Sequence, residues 1–185
     1  MLPRIASTCL VTLFGLAAVV SAQPIQSPVN GHWYEMVTPV GGLASWPDAR
    51  DEAAGFIHNG LQGYLATFTS AEEENWVIAN FGQIGTDTQI WIGASDEDVE
   101  DTWVWVTGEP WGHTNWDMGE PNGSTDENCL QYTDGVPAWN DEGCLSRRPL
   151  FLVEYGMDPV PASPFWTLFV LLAILGVGGT WLLHR

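Results

Sequence analysis

Between Gly119 and Cys144 the chain reads GEPNGSTDENCLQYTDGVPAWNDEGC. Glu120, Asn122, Glu127, Asn140 and Asp141 crowd hard oxygen donors into this stretch, close to Trp139, Cys129 and Cys144. Carboxylate and amide oxygens are the ligands calcium takes, whereas thiolate and imidazole sets select softer metals. The residue types therefore point to calcium and to something that calcium holds. Paired carboxylates could also run acid/base hydrolysis, but the same groups are needed for the ion, which makes an enzyme the weaker reading.

Composition narrows the partners. Acidic residues number 23 against 5 basic ones, lysine is absent, and the formal net charge is -18, so nucleic acid and anionic membrane surfaces are poor partners. Eleven tryptophans supply much of the apolar area that a small core needs. With the ends set aside, the length leaves about one domain.

Both ends read as delivery and anchorage. Residues 1–22 fit a signal peptide: Arg4 gives the positive region, Leu10 to Val20 the apolar run, and Val20-Ser21-Ala22 the cleavage site. Export to an oxidising compartment follows. Cys9 departs with that segment, and Cys129 and Cys144 remain as an even pair that reads as one disulfide. Closing a loop of that size contributes ~3 kcal/mol in the chain-entropy model, and it would clamp the two halves of the acidic stretch. At the other end, residues 157–164 form a proline-rich linker. Phe165 to Leu183 carries no charge and is long enough for a ~30 Å hydrocarbon core, so 165–183 is expected to span a membrane, with 184–185 cytoplasmic. The tail Val160-Pro161, apolar span and Arg185 also resembles bacterial exosortase-type sorting signals. A sorting protease would then be a partner, and the product would be released to the cell surface. Permanent anchoring with the domain periplasmic or extracellular is the competing expectation.

The elements that must hold the acidic stretch are legible between these ends. Residues 23–31 read as a polar leader, and His32 to Val37 as a first strand. Ser45-Trp46-Pro47-Asp48 starts one helix, with Trp46, Ala49, Ala53 and Phe56 or Ile57 at helical spacing up to Gly60. Ser70 and Glu73 start a second, whose buried face is Trp76, Val77 and Phe81, and which places Glu72, Glu73 and Glu74 on a solvated face. A short strand, Gly63 to Thr67, separates the two. From Gln89 the period becomes two, and strands are predicted at 89–93, 102–106, 128–132, 138–140 and 150–155, as an antiparallel sheet. Thr107 to Glu127 has neither period, and structureless connections of that length are usually functional. Trp91, Trp103, Trp105 and Trp139 read as core, while Trp111 and Trp116 are open between core and stacking on a ligand. His32, His58 and His113 lack metal-ligand spacing and read as surface residues.

The order of motifs is similar to that of C-type lectin domains. LATFTSAEEEN (Leu65 to Asn75), WIG (Trp91 to Gly93), WVWVTGEP (Trp103 to Pro110), NW (Asn115 and Trp116), GEPN (Gly119 to Asn122), ENC (Glu127 to Cys129), WND (Trp139 to Asp141) and FLVEY (Phe151 to Tyr155) follow one another as in that family. The resemblance covers residues 32–156. It implies an α+β, double-loop fold with two helices, small antiparallel sheets and a long calcium-binding loop. It also implies that Glu120, Asn122, Glu127, Asn140 and Asp141 bind Ca2+ and hydrogen-bond the hydroxyls of a sugar. Two coordination positions stay open for vicinal hydroxyls, and Pro121 is held cis. The order Glu-Pro-Asn resembles the mannose-type subgroup. A protein-binding or adhesion module on the same fold is the alternative.

Departures from the family pattern are specific. A second calcium would use Asp96 and Glu100 together with an aspartate after Asn122, and Gly123 stands there instead. The outer disulfide of the family is missing: Val153 occupies the late position, and apolar packing is expected to replace the bond. Arg147 and Arg148 are expected to meet local acids.

Overall fold

The computed structural model describes residues 23 to 157. The expected signal peptide, transmembrane run and sorting-type tail lie outside those residues. Within the segment read as a leader, Ile25–Gln26 (β1) pairs with Trp33–Val37 (β2).

Serine caps place both helices. Ser45 accepts from the Asp48 amide at the start of α1 (Trp46–Ala53), and Ser70 accepts from the Glu73 amide at the start of α2 (Ala71–Asn80). Each hydroxyl satisfies an amide that has no partner inside its helix. α1 stops short of the apolar spacing read through Ile57. Ile57–His58 (β3) instead pairs with Leu61–Leu65 (β4), across Asn59 and Gly60 at φ 51° and 81°. Asn-Gly is the favoured pair for a two-residue hairpin that needs left-handed backbone at both positions. Gly60 therefore turns a hairpin and does not end a helix.

The remaining strands are β5 (Ile90–Ser95), β6 (Val104–Trp105), β7 (Cys129–Tyr132), β8 (Trp139–Glu142) and β9 (Leu150–Tyr155). Their order is β1-β2-β9-β5-β7-β8, with β4 also on β9 and β6 on β5. Strand pairs are antiparallel except for β5 with β9, which run parallel through Ile90↔Leu150 and Trp91↔Phe151. A purely antiparallel sheet is thus corrected. Parallel neighbours need a long connection, and the loop, β7 and β8 between these two strands provide it.

The core lies on both faces of this sheet. Trp46, Ala49 and Ala53 of α1 pack with Leu65, Trp91, Phe151 and Val153 on one side. Val153 is fully buried there, so apolar packing occupies the place of the absent outer disulfide. On the other side Phe68, Trp103, Trp105, Leu130, Tyr132 and Trp139 form an aromatic core. Trp111 and Trp116 join it from the long loop, with ring centroids 4.7 Å from Trp105 and 4.9 Å from Trp103 respectively. Both half-buried rings anchor the loop to the core, which answers the question left open for them.

Two expectations about polar residues are corrected. Glu72 is exposed, but Glu73 and Glu74 are buried. Nor are all the histidines surface residues: His32 Nδ1 lies 2.7 Å from Glu154 Oε1, and His113 Nε2 lies 2.6 Å from Glu74 Oε2. The cause is common to both. Buried carboxylates require donors, and Tyr34, Asn30 and the Thr69 hydroxyl and amide serve Glu73 while His113, Asn115, Tyr132 and Trp139 serve Glu74. Arg148 meets Glu142, as expected, and also donates to Gln131 at 2.6 Å.

Candidate functional site

The five donor residues arrive on two supports. Glu120 and Asn122 flank Pro121 in the long loop, and Glu127 caps the short 3-10 turn Ser124–Asp126. Asn140 and Asp141 lie on β8, next to the buried Trp139. The Glu120–Pro121 peptide is cis. A disulfide joins Cys129, at the start of β7, to Cys144, just past β8. It therefore ties the exit of the loop to the strand that carries the second half of the set.

Asp141 is the hinge pin between the supports. Its carboxylate accepts the Asn122 amide at 2.9 Å and the Gly123 amide at 2.8 Å, and only 2% of the residue is exposed. Asn122 Nδ2 donates to Glu120 Oε2 at 2.5 Å, and the Asn140 amide group abuts the Asp141 carbonyl. Glu127 packs against Gly123 so closely that a Cβ on Gly123 would fall 2.1 Å from Glu127 Cβ and 2.2 Å from its Oε2. All five residues therefore converge on one patch.

Negative charge accumulates there without a basic side chain to offset it. Partial burial, then the hydrogen bond and charge of Asp141, then the charges of Glu127 and Asp117 push the Glu120 carboxyl up to about 7. Glu127 is raised as well, by burial and then by Glu142, Asp141 and Asp126. Carboxylates that raise one another are a set whose charge a bound cation would offset.

Asp96 and Glu100 face the same region. With Asp101, Asn122, Ser124 and Asp141 they line an adjoining cleft of about 230 Å³. Asp96 is raised by burial and Glu100 chiefly by desolvation and the charge of Asp96. One oxygen of Asp96 accepts the Asp101 amide at 2.9 Å, while the other, Oδ1, is buried without a partner. Asn128 Oδ1 is buried in the same state, beside the Asn128 carbonyl that accepts the Asp96 amide. Sequence reasoning missed Asn128. Its position directly after Glu127 was the available signal, since every neighbour of that residue carries an oxygen donor.

Oxygen donors in this number, orphaned buried oxygens among them, fit a hard divalent cation. The arrangement holds no nucleophile with an adjacent base.

Residues 45–151 match the family model of the lectin C-type domain. Halomucin of Haloquadratum walsbyi is 37% identical over 142 residues, which are 69% of this chain and 1% of that protein. The chain thus spans only a small part of the length of that relative. An alpha-N-acetylgalactosamine-specific lectin of Patiria pectinifera is 28% identical over 151 residues, covering 74% of this chain and 88% of the lectin. Among solved structures, the cow C-type carbohydrate-recognition domain of CD23, determined in the presence of a GlcNAc2Man3 oligosaccharide, superposes with a TM-score of 0.56 at 27% identity, over 66% of this chain and 86% of that one. The fold, the family match and these relatives agree, and the chain belongs to the C-type lectin domain family, a family of non-enzymatic domains that includes carbohydrate-binding lectins.

Proposed function

We propose that this chain is an exported lectin that binds carbohydrate through one calcium ion held by Glu120, Asn122, Glu127, Asn140 and Asp141. The observation that carries the reading is their convergence on Asp141, whose carboxylate is pinned by the amides of Asn122 and Gly123 while Glu120 and Glu127 are raised by their neighbours. Calcium bound there supplies positive charge and open coordination positions to a sugar hydroxyl pair. Around it, carboxylates accept from those hydroxyls and asparagine amides donate to them, which uses the hydrogen-bonding capacity of each hydroxyl.

The order Glu120-Pro121-Asn122 supports mannose-type sugars, with equatorial vicinal hydroxyls. Asp96, Glu100 and Asn128 are the residues that would hold a second ion, and Gly123 subtracts one carboxylate from that group. Residues 1–22 and 165–183 support export followed by anchoring or release at the surface. A calcium-dependent glycan array tests the reading: mannose-type ligands are expected to bind and to be lost on chelation. A preference for galactose would contradict the specificity. Capture of a protein partner that survives both chelation and Asn140→Ala would replace the lectin reading with an adhesion module.

A further inference from the structure

One of the two buried carboxylates of α2, Glu74, sits where the two supports of the site meet. Glu74 is 2% exposed, and none of its partners is a lysine or arginine. Its Oε1 accepts from Trp139 Nε1 at 2.6 Å, Tyr132 OH at 2.8 Å and Asn115 Nδ2 at 3.1 Å, while Oε2 lies 2.6 Å from His113 Nε2. Two of these donors belong to β7 and β8. The other two belong to the long loop.

The same junction is sewn by backbone. Trp139 N donates to Asn115 O at 2.7 Å, and Asp117 N donates to Trp139 O at 2.8 Å, so the loop runs as a short parallel edge along β8. Asn115 Nδ2 also reaches Pro137 O at 2.8 Å, in the turn before β8. Glu120 follows this edge by three residues on the loop side. Asn140 and Asp141 follow it directly on the strand side.

Burying a carboxylate costs several kcal/mol unless donors replace its water, and an apolar residue would fill the space more cheaply. What an apolar residue lacks is a point to which four donors from two supports can be tied. We propose that Glu74 is a positioning residue for the calcium and sugar site: it fixes Glu120 and Asn122 relative to Asn140 and Asp141. The inference rests on the calcium-lectin reading and deepens it. Partners that orient metal ligands from behind typically change metal affinity by about 10- to 100-fold when removed.

The test uses the full chain and reads calcium and mannose affinity by calorimetry at a temperature where near-ultraviolet dichroism of the tryptophans reports a native core. Glu74→Ala is expected to weaken calcium by about 10- to 100-fold. Asn115→Ala, at a half-buried loop residue of the junction, is expected to weaken it by about tenfold with a smaller fall in thermal midpoint than Glu74→Ala causes. Glu74→Gln is expected to rescue most of the affinity, because its oxygen keeps the three donors of Oε1 and its amide can face His113 in the other tautomer. Faster hydrogen exchange at the Asp117 and Trp139 amides should accompany the losses. If Glu74→Ala does not fold, Asn115→Ala and His113→Ala carry the test. Unchanged calcium and mannose affinity in the folded variants, beside a wild type that binds both, would overturn the inference alone. A wild type that takes up no calcium would overturn the site reading and this inference with it.

Discussion

Replacing Gly123 with alanine probes the site at its tightest point. The backbone there has φ -81° and ψ -5°, which any residue adopts, so the substitution acts only through space. The new Cβ would lie 2.1 Å from Glu127 Cβ, 2.2 Å from Glu127 Oε2 and 2.3 Å from Glu127 Cγ, all under the 3.0 Å that real Cβ contacts respect. Turning the Glu127 side chain cannot relieve the clash, because the nearest atom is fixed to the backbone. The turn Ser124–Asp126 must open, and Glu127 must leave its place in the donor set. Overpacking of this kind costs about 1–3 kcal/mol. Taken wholly from calcium binding, that is a loss of roughly 5- to 150-fold in affinity. Calorimetric titration of calcium, paired with thermal melting of the metal-free protein, separates the effect on the site from one on the fold. The melting point should move little, because Asn122, Ser124 and Thr125 beside the turn are exposed. Gly123→Asp should lose affinity similarly although it adds a carboxylate. Wild-type affinity in Gly123→Ala, or a newly gained second calcium in Gly123→Asp, would refute the steric reasoning.

Three further outcomes follow from the same structure. Burial raises Glu154 from 4.5 to about 7, so the folded state holds a proton that the unfolded chain releases between those values. Stability from this group is therefore full below pH 4.5 and falls as pH rises through 7, by about 3 kcal/mol in all; denaturant titrations across that window should show the decline, and Glu154→Gln should flatten it. Calcium affinity should fall in acid, since Glu120, Glu127 and Asp141 bind the ion only when ionised, and a flat profile of affinity against pH would contradict their assignment. Replacing Cys129 and Cys144 by serine should cost ~3 kcal/mol in chemical denaturation, with equal stability of the two forms as the contrary result.

How much of this was written in the chain differs by kind of signal. Short-range chemistry was legible: Ser45 and Ser70 cap the helices, the short apolar run Leu150 to Tyr155 is a strand, and the oxygen-rich residues of the 119–144 stretch do meet. Signals that depend on a partner far along the chain were not. Glu73 and Glu74 look like the solvated first turn of a helix until Tyr34, Tyr132 and Trp139 are brought over them by the sheet. Spacing between histidines said nothing about His32 and His113, because their partners are carboxylates 122 and 39 positions away. The parallel pairing of β5 with β9 is likewise a property of topology, invisible to local periodicity. The Asn59-Gly60 turn was a local signal, and it lost to an apolar spacing that happened to continue α1.

The central claim is that Glu120, Asn122, Glu127, Asn140 and Asp141 hold one calcium ion that in turn holds a sugar. Titrating calcium into the full chain with and without a mannose panel, in wild type and in Asn140→Ala, tests it most directly. The account predicts saturable uptake of calcium in wild type, mannose binding only when calcium is present, and loss of both in Asn140→Ala. Sugar binding that persists in chelator, or calcium uptake that Asn140→Ala leaves unchanged, would contradict it.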